Sequence, residues 1–183
     1  MESPFYPDAS RQHALETLRH LCGFGDMALV VTGAPGAGKT RILAELIRSE
    51  SSRLAFHRVP ASALTSTQAL ARDLRRIAQT SLSPEADARE TVHEFFRWSE
   101  RQGQRGRRQV LLMDDADKAS ADVIALVLSA FVAANRSMAA TPVFAGSDEL
   151  TEELMSRAEA RMSASCMVVS TPRVESAPAP MKV

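Results

Sequence analysis

The sequence predicts a three-layer α/β/α sandwich built around a five-stranded parallel sheet. Short apolar runs of the kind that form buried strands alternate along the chain with longer segments of helical periodicity. This alternation is typical of a parallel sheet whose right-handed crossover helices cover both faces. The strands are predicted at residues 28–32, 54–59, 109–113, 142–145 and 165–169.

Helical periodicity precedes the first strand and recurs between the later ones. Gly23 provides a stop for the first helix, and Pro84 falls in the first turn of the fourth. The fifth helix is apolar on nearly all sides, which predicts deep burial. The helices are expected at residues 9–22, 41–50 (with a start near Gly38), 66–79, 84–102, 121–134 and 149–160.

Length and composition suit one globular domain with a substantial core, since 45% of the 183 residues are hydrophobic. We place that domain at residues 9–170. An extended lead-in at 1–8 precedes it, and a Pro/Ser/Ala-rich linker or tail at 171–183 follows it. A linker with nothing after it suggests a fragment, or a protein that has lost a further module.

Charge, hydropathy and cysteine usage indicate where the chain is located and which partners its net charge disfavours. Lys plus Arg and Asp plus Glu each total 22, so no net charge draws the chain to nucleic acid. No apolar run reaches the roughly 18 residues that span a bilayer, and no secretory signal is present. Cys22 and Cys166 stand in no motif, as expected for reduced thiols. We expect a cytoplasmic protein, with the inner face of the inner membrane as one place of action.

The most specific motif is a glycine-rich loop directly after the first predicted strand. It matches the phosphate-binding pattern G-x-x-x-x-G-K-[ST] at every fixed position. Its backbone N–H groups and the following helix N-terminus would hold phosphate oxygens. Lys39 would reach the β- and γ-phosphates, which makes it a catalytic residue, and Thr40 would ligate Mg²⁺. A dinucleotide-binding G-x-G-x-x-G pattern fails because Arg41 occupies its last glycine position. The predicted nucleotide-binding residues are Gly33, Ala34, Pro35, Gly36, Ala37, Gly38, Lys39 and Thr40.

An acidic pair at the end of the third strand forms the second signal, the Walker B arrangement. Asp114 would hold Mg²⁺, and Asp115 would orient and polarise the attacking water. Asp115 is one methylene shorter than the more common Glu, so its reach could slow hydrolysis. The alternative is an acidic capping cluster ahead of the helix that follows Ser120. Asp117 and Lys118 are assigned to that capping role.

Polar residues after the fourth strand complete the candidate site. Ser147 is the candidate sensor of the γ-phosphate or of the attacking water, and is counted among the catalytic residues. Its alternative role is to cap the helix at 149–160. Arg157 and Arg161 are candidates for an arginine finger supplied to a neighbouring subunit, although surface arginines are more often simply solvated.

An arginine-rich segment precedes the Walker B strand. A flexible Gly/Arg loop of this kind can hold phosphate backbones electrostatically. No aromatic residue is interleaved to stack on bases, so a solvated loop is favoured. The segment contains Arg101, Arg105, Arg107 and Arg108.

Together these segments resemble the ExeA/GspA-type AAA+ ATPases. The resemblance rests on residues 10–15, 29–33, 111–117 and 143–150, and it covers about residues 9–170. Within that group the chain is most similar to the ATPase modules of DamX-like SPOR-domain cell division proteins. Asp115 departs from the usual Glu, and no helical lid with a sensor arginine follows the last strand.

The resemblance implies an ATP hydrolase, using Mg²⁺, that drives or gates a bacterial cell-envelope or cell-division assembly. It implies a homo-oligomer or a protein partner at the envelope. ATP is preferred to GTP because no guanine-reading motif of the N/T-K-x-D type is present.

Other functions remain open. One is a DNA-binding ATPase of the transposition target-selection type, which only the arginine-rich segment supports. Another is a nucleotide-dependent scaffold with little hydrolysis, which Asp115 and the missing lid allow. A small-molecule kinase is disfavoured, because consecutive Asp114 and Asp115 fit water activation better than phosphorylation of a hydroxyl.

Overall fold

The computed structural model describes residues 9–33, 38–147, 149 and 166–170, with backbone alone at 9–11 and 166–170. The lead-in predicted at 1–8 and the tail predicted at 171–183 lie outside the described residues. So does the helix predicted at 149–160, apart from Glu149.

A parallel sheet of five strands forms the centre of the molecule. The strands are β1 (Ala28–Thr32), β2 (Leu54–Val59), β3 (Arg108–Met113), β4 (Thr141–Gly146) and β5 (Cys166–Ser170). Their order across the sheet is β2-β3-β4-β1-β5. Each neighbouring pair is parallel, and each strand lies within one residue of its predicted bounds. The predicted five-stranded parallel sheet is confirmed.

Helices cover both faces of this sheet. They are α1 (Ala9–Phe24), α2 (Lys39–Glu50), α3 (Thr67–Ala78), α4 (Ala88–Gln104) and α5 (Ala121–Ala133). One core cluster joins α1 and α2 to the sheet, and a larger one joins α3, α4 and α5 to the other face. Alternate strand residues serve the two clusters: Val110 and Leu112 face the first, Leu111 and Met113 the second. The three-layer sandwich is therefore confirmed.

Helices α1 and α4 differ from their predicted bounds by two residues or more. The first helix continues past Gly23 to Phe24 and is stopped by Gly25, whose φ of 75° suits a residue without a Cβ. The fourth helix begins at Ala88 rather than near Pro84. Asp87 sets that start, because its side chain accepts a hydrogen bond from the backbone N–H of Glu90 at 2.8 Å.

The predicted burial of α5 holds for most of its length. Ser120 caps the helix by accepting a hydrogen bond from the N–H of Val123 at 3.3 Å. One side nevertheless remains open, and Val132 keeps 39% of its surface exposed. The buried residues of α5 are Val123, Ile124, Leu126, Val127, Leu128, Ala130 and Phe131.

The arginine-rich segment is mostly regular structure rather than a flexible loop. Helix α4 extends to Gln104, so Arg101 is helical, and Arg108 opens β3. Arg108 donates to the carbonyl oxygen of Ser137. Only residues 105–107 form the connection, with Gly106 at a φ of 82°.

No helix in the described part of the chain is long and apolar enough to cross a membrane.

At Gly103, α4 closely approaches the segment before β4. A Cβ at this position would lie 2.1 Å from the carbonyl oxygen of Met138 and 2.9 Å from its carbonyl carbon. We expect Gly103→Ala to lower the free energy of unfolding by about 1–3 kcal/mol, because backbone on both sides must shift. Urea denaturation measures the change. Gln104→Ala, at an exposed position one residue later, should be close to neutral, and equal effects of the two changes would contradict the prediction.

Candidate nucleotide-binding site

The two ends of the glycine-rich loop lie at the carboxyl end of β1 and the start of α2. Gly38 stands immediately before the helix with a φ of 86°, a left-handed conformation that favours glycine. Its carbonyl accepts the first helical hydrogen bond, from the N–H of Ile42 at 3.0 Å. The Lys39 ammonium donates to the carbonyl oxygen of Gly33 at 2.7 Å, so the lysine links the two ends of the loop. Residues 34–37, including the predicted phosphate-binding Ala34, Pro35, Gly36 and Ala37, lie outside the described residues.

The acidic pair begins directly where β3 ends, at Met113. Asp114 is partly buried, and its Oδ1 accepts a hydrogen bond from the backbone N–H of Asp115 at 2.9 Å. Asp115 is exposed and adopts left-handed backbone angles, with φ 53° and ψ 38°. Asp tolerates this conformation better than most residues. The sequence did not predict this turn, although an Asp directly after a strand is a known signal for such local hydrogen bonding.

The residues after the acidic pair have a different place. Asp117 and Lys118 are exposed in a short 3₁₀ turn, and Ser120 alone caps α5 by a side-chain bond. The Asp115 side chain makes no capping bond to that 3₁₀ turn. The structure therefore gives the acidic pair no helix-capping role.

Strand order brings the separate sequence signals to one edge of the sheet. Strand β4 lies between β1 and β3, with Thr32 paired to Gly146 and Met113 paired to Phe144. Ser147 follows β4 directly and thus comes beside the start of the glycine-rich loop. The loop and the acidic pair are two strand spacings apart, or about 10 Å. Parallel strands end at this edge, which is where α/β proteins bind their ligands.

This group of side chains fits a magnesium nucleotide. Gly33, Gly38 and Lys39 supply the ends of a phosphate loop, with the lysine ammonium already held at its mouth. Thr40 on the first turn of α2 and Asp114 at the end of β3 offer the hydroxyl and carboxylate oxygens that Mg²⁺ prefers. A protein that supplies few ligands and leaves the rest to phosphate and water is usual for this ion.

Two further candidate residues, besides 34–37, are not placed. Arg157 and Arg161, the candidate arginine fingers, lie outside the described residues. The helix that Ser147 would cap in its alternative role also falls there.

The fold and this edge define a P-loop NTPase of the AAA+ type. Residues 14–154 match the family model for the AAA domain, and the chain belongs to that family. Members of the family bind ATP, usually with Mg²⁺. No curated protein matches the chain in sequence.

Solved structures of Cdc6 and ORC proteins have a similar fold. Cdc6p of Pyrobaculum aerophilum is 16% identical with a TM-score of 0.65, over 91% of this chain and 48% of that protein. ORC2 of Aeropyrum pernix is 12% identical with a TM-score of 0.63, over 92% and 50% of the two chains. ORC1 of Aeropyrum pernix, in complex with DNA, is 13% identical with a TM-score of 0.64, over 92% and 46%. The likeness establishes the fold alone, and this chain spans about half the length of each of these proteins.

The left-handed backbone at Asp115 limits which side chains are tolerated there. We expect Asp115→Asn to keep the free energy of unfolding near the original value, because Asn adopts this conformation as readily. Asp115→Val should lower it by about 1–2 kcal/mol, since a β-branched residue is strained at positive φ. Thermal unfolding of the two variants tests this. Equal melting temperatures would show that the turn relaxes, and would contradict the expected strain.

Proposed function

We propose that this chain binds ATP with Mg²⁺ and hydrolyses it. The observation that supports the proposal is the strand order, which brings Gly33 with its partner Lys39, Asp114 and Ser147 to the carboxyl ends of the neighbouring strands β1, β3 and β4. Hydrolysis needs a phosphate cradle, a metal ligand and a group that orients water, and this edge offers each of them.

Each residue of the candidate site has a separate role in this proposal. Lys39 and the loop residues 33–40 bind the phosphates, and Thr40 and Asp114 hold the metal. Asp115 orients the attacking water, and Ser147 contacts the γ-phosphate or that water. Catalysis then consists of positioning and charge stabilisation, with little covalent chemistry for the protein to perform. Arg157 or Arg161 would complete the site of a neighbouring subunit in a homo-oligomer.

Resemblance to the ExeA/GspA-type and DamX-like ATPases supports a role in driving or gating a cell-envelope or cell-division assembly. In this proposal residues 9–170 form the ATPase core, residues 171–183 form a linker, and the partner is a protein at the cell envelope.

A second candidate function is an ATPase coupled to DNA. The specific observation in its favour is the likeness to ORC1, which was solved in complex with DNA. The arginines around the start of β3 supply positive charge for such contacts. This candidate predicts turnover that rises when DNA is added.

Steady-state hydrolysis of Mg²⁺-ATP tests the proposal. We expect Lys39→Ala and Asp115→Asn each to lower kcat/KM about 100-fold, as loss of a charged donor or of a water-orienting base does. Lys118→Ala and Asp117→Asn make the same charge changes a few residues away, in the exposed 3₁₀ turn, and should leave turnover unchanged.

Turnover with and without DNA, together with nucleotide binding, separates the candidate functions. Stimulation by duplex or single-stranded DNA would favour the DNA-coupled ATPase, and indifference to both would favour the envelope role. Nucleotide binding without turnover in the unmodified chain would leave a scaffold. Equal losses in the control variants would overturn the assignment of the site.

The metal role of Asp114 has its own test. We expect Asp114→Asn to weaken binding of a fluorescent ADP analogue in Mg²⁺, down to the affinity that the unmodified chain has in EDTA. The reason is that one charged ligand of the ion is lost while the phosphate loop stays intact. Asp117→Asn, with an equal charge change outside the site, should keep the magnesium dependence. A loss of affinity in EDTA as well would mean that Asp114 supports the loop itself rather than the metal.

A further inference from the structure

A polar cleft lies at the end of the sheet opposite to the nucleotide site, where β2 and β3 begin. Its volume is about 400 Å³, and it lies between the turn after α2, the C-terminal half of α4 and the first residues of the two strands. Asp114, at the nucleotide site, is five residues further along β3 than Gln109, or roughly 16 Å away. The cleft is therefore separate from the nucleotide site. Its polar and aromatic lining residues include Arg53, His57, Trp98, Gln102, Arg107 and Gln109.

A hydrogen-bond network around a buried glutamine forms one wall of this cleft. Gln109 is only 4% exposed and precedes the apolar residues 110–113 of β3, and its Nε2 donates to the carbonyl oxygen of Arg107 at 2.9 Å. Its Oε1 contacts Nε2 of His57, and because an amide oxygen only accepts, His57 must donate there. A buried amide with both ends satisfied holds its partners in place. The wall is thus preorganised.

The charge of the cleft is positive. No acidic side chain belongs to its lining as far as the structure describes it. Arg53 lines the cleft and also pairs with Glu50, which lies 3.7 Å from Arg19 as well, so two guanidinium groups share one carboxylate. Arg107 is exposed and has no ion pair within the described ranges.

Trp98 adds an aromatic surface to this charge. Its ring packs against Phe95, with centroids 5.5 Å apart, and it also lines the cleft. An indole held from behind and bordered by arginines is the combination that binds unpaired bases and their phosphates. In the sequence, no aromatic residue stands within the arginine-rich segment, which disfavours such binding. Helix α4 supplies one from just before it.

We propose that this cleft binds single-stranded nucleic acid, with a base stacked on Trp98 and the adjoining phosphates at Arg53 and Arg107. Exposed Arg101 and Arg105 continue the positive charge beyond the cleft along the end of α4, which suits a strand better than a free mononucleotide. A duplex buries the faces of its bases, so stacking on Trp98 requires an unpaired strand. The proposal deepens the second candidate function by naming its nucleic acid and its site. It does not depend on ATP hydrolysis.

Trp98 is the sole tryptophan of the chain, so its fluorescence reports directly on this cleft. An oligodeoxythymidylate of about 15 nucleotides, titrated without ATP, should quench the emission. Anisotropy of the same oligonucleotide carrying a fluorescein label gives the affinity. We expect Arg107→Gln to raise Kd about tenfold. Trp98→Phe should raise it less, because a smaller ring still stacks.

The controls assign the binding to the cleft. Arg72→Gln removes the same charge from an exposed position on α3 outside the cleft and should change Kd little. Lys39→Ala should bind the oligonucleotide like the unmodified chain, so a failure of the ATPase proposal does not affect this result. Circular dichroism verifies that each variant is folded.

Three outcomes would overturn the proposal. The first is the absence of quenching by the oligonucleotide. The second is an Arg107→Gln variant that binds like Arg72→Gln. The third is competition by duplex DNA or by thymidine monophosphate at concentrations similar to those of the oligonucleotide.

Discussion

Burial of the central strands on both faces is the constraint on which the rest of the structure depends. In β1, β3 and β4 successive side chains enter opposite helix layers, and almost every one is fully buried. Leu29, Val143 and Val110 meet α1 and α2, whereas Val30, Phe144 and Leu111 meet the other layer. A slip of one residue would exchange these side chains between two differently shaped cores. The register is thus fixed, and with it the edge at which the three strands end.

Backbone groups at this end of the sheet need hydrogen-bond partners outside the sheet. The carbonyl oxygen of Gly33 accepts from Lys39, and the N–H of Asp115 donates to Asp114, so two free backbone groups use functional side chains as partners. Each contact also restricts the side chain that makes it. The lysine and the carboxylate are therefore restrained at the carboxyl ends of β1 and β3, where the proposed phosphate and metal contacts require them.

Local sequence was sufficient for the elements but not for their assembly. The strands were predictable because apolar runs such as 28–32 and 109–113 are bounded by turn residues. The helix end predicted at Gly23 was wrong because a helix tolerates glycine. The first helix ends only at Gly25, where φ is positive. The helix start predicted at Pro84 was wrong because the capping bond of Asp87 sets the start of α4.

The placement of β4 between β1 and β3 depends on long crossovers, which local patterns do not encode. His57, Trp98 and Gln109 meet only through the pairing of β2 with β3 and the packing of α4.

The positive charge at the opposite edge has an ordinary cause as well as a functional one. Helices α2 and α4 end there, and arginines near a helix C-terminus stabilise the negative end of its dipole. That effect accounts for Arg101 in the last turn of α4 and for Arg105 at its C-terminal cap. It does not account for Arg53 and Arg107, each of which lies three residues beyond the end of its helix. Nor does it explain a buried glutamine on an apolar strand, since leucine or valine would pack there without the cost of burying an amide. The Gln109 network holds Arg107 and His57 beside Trp98, and that arrangement, rather than the number of arginines, separates a binding site from helix-end charge.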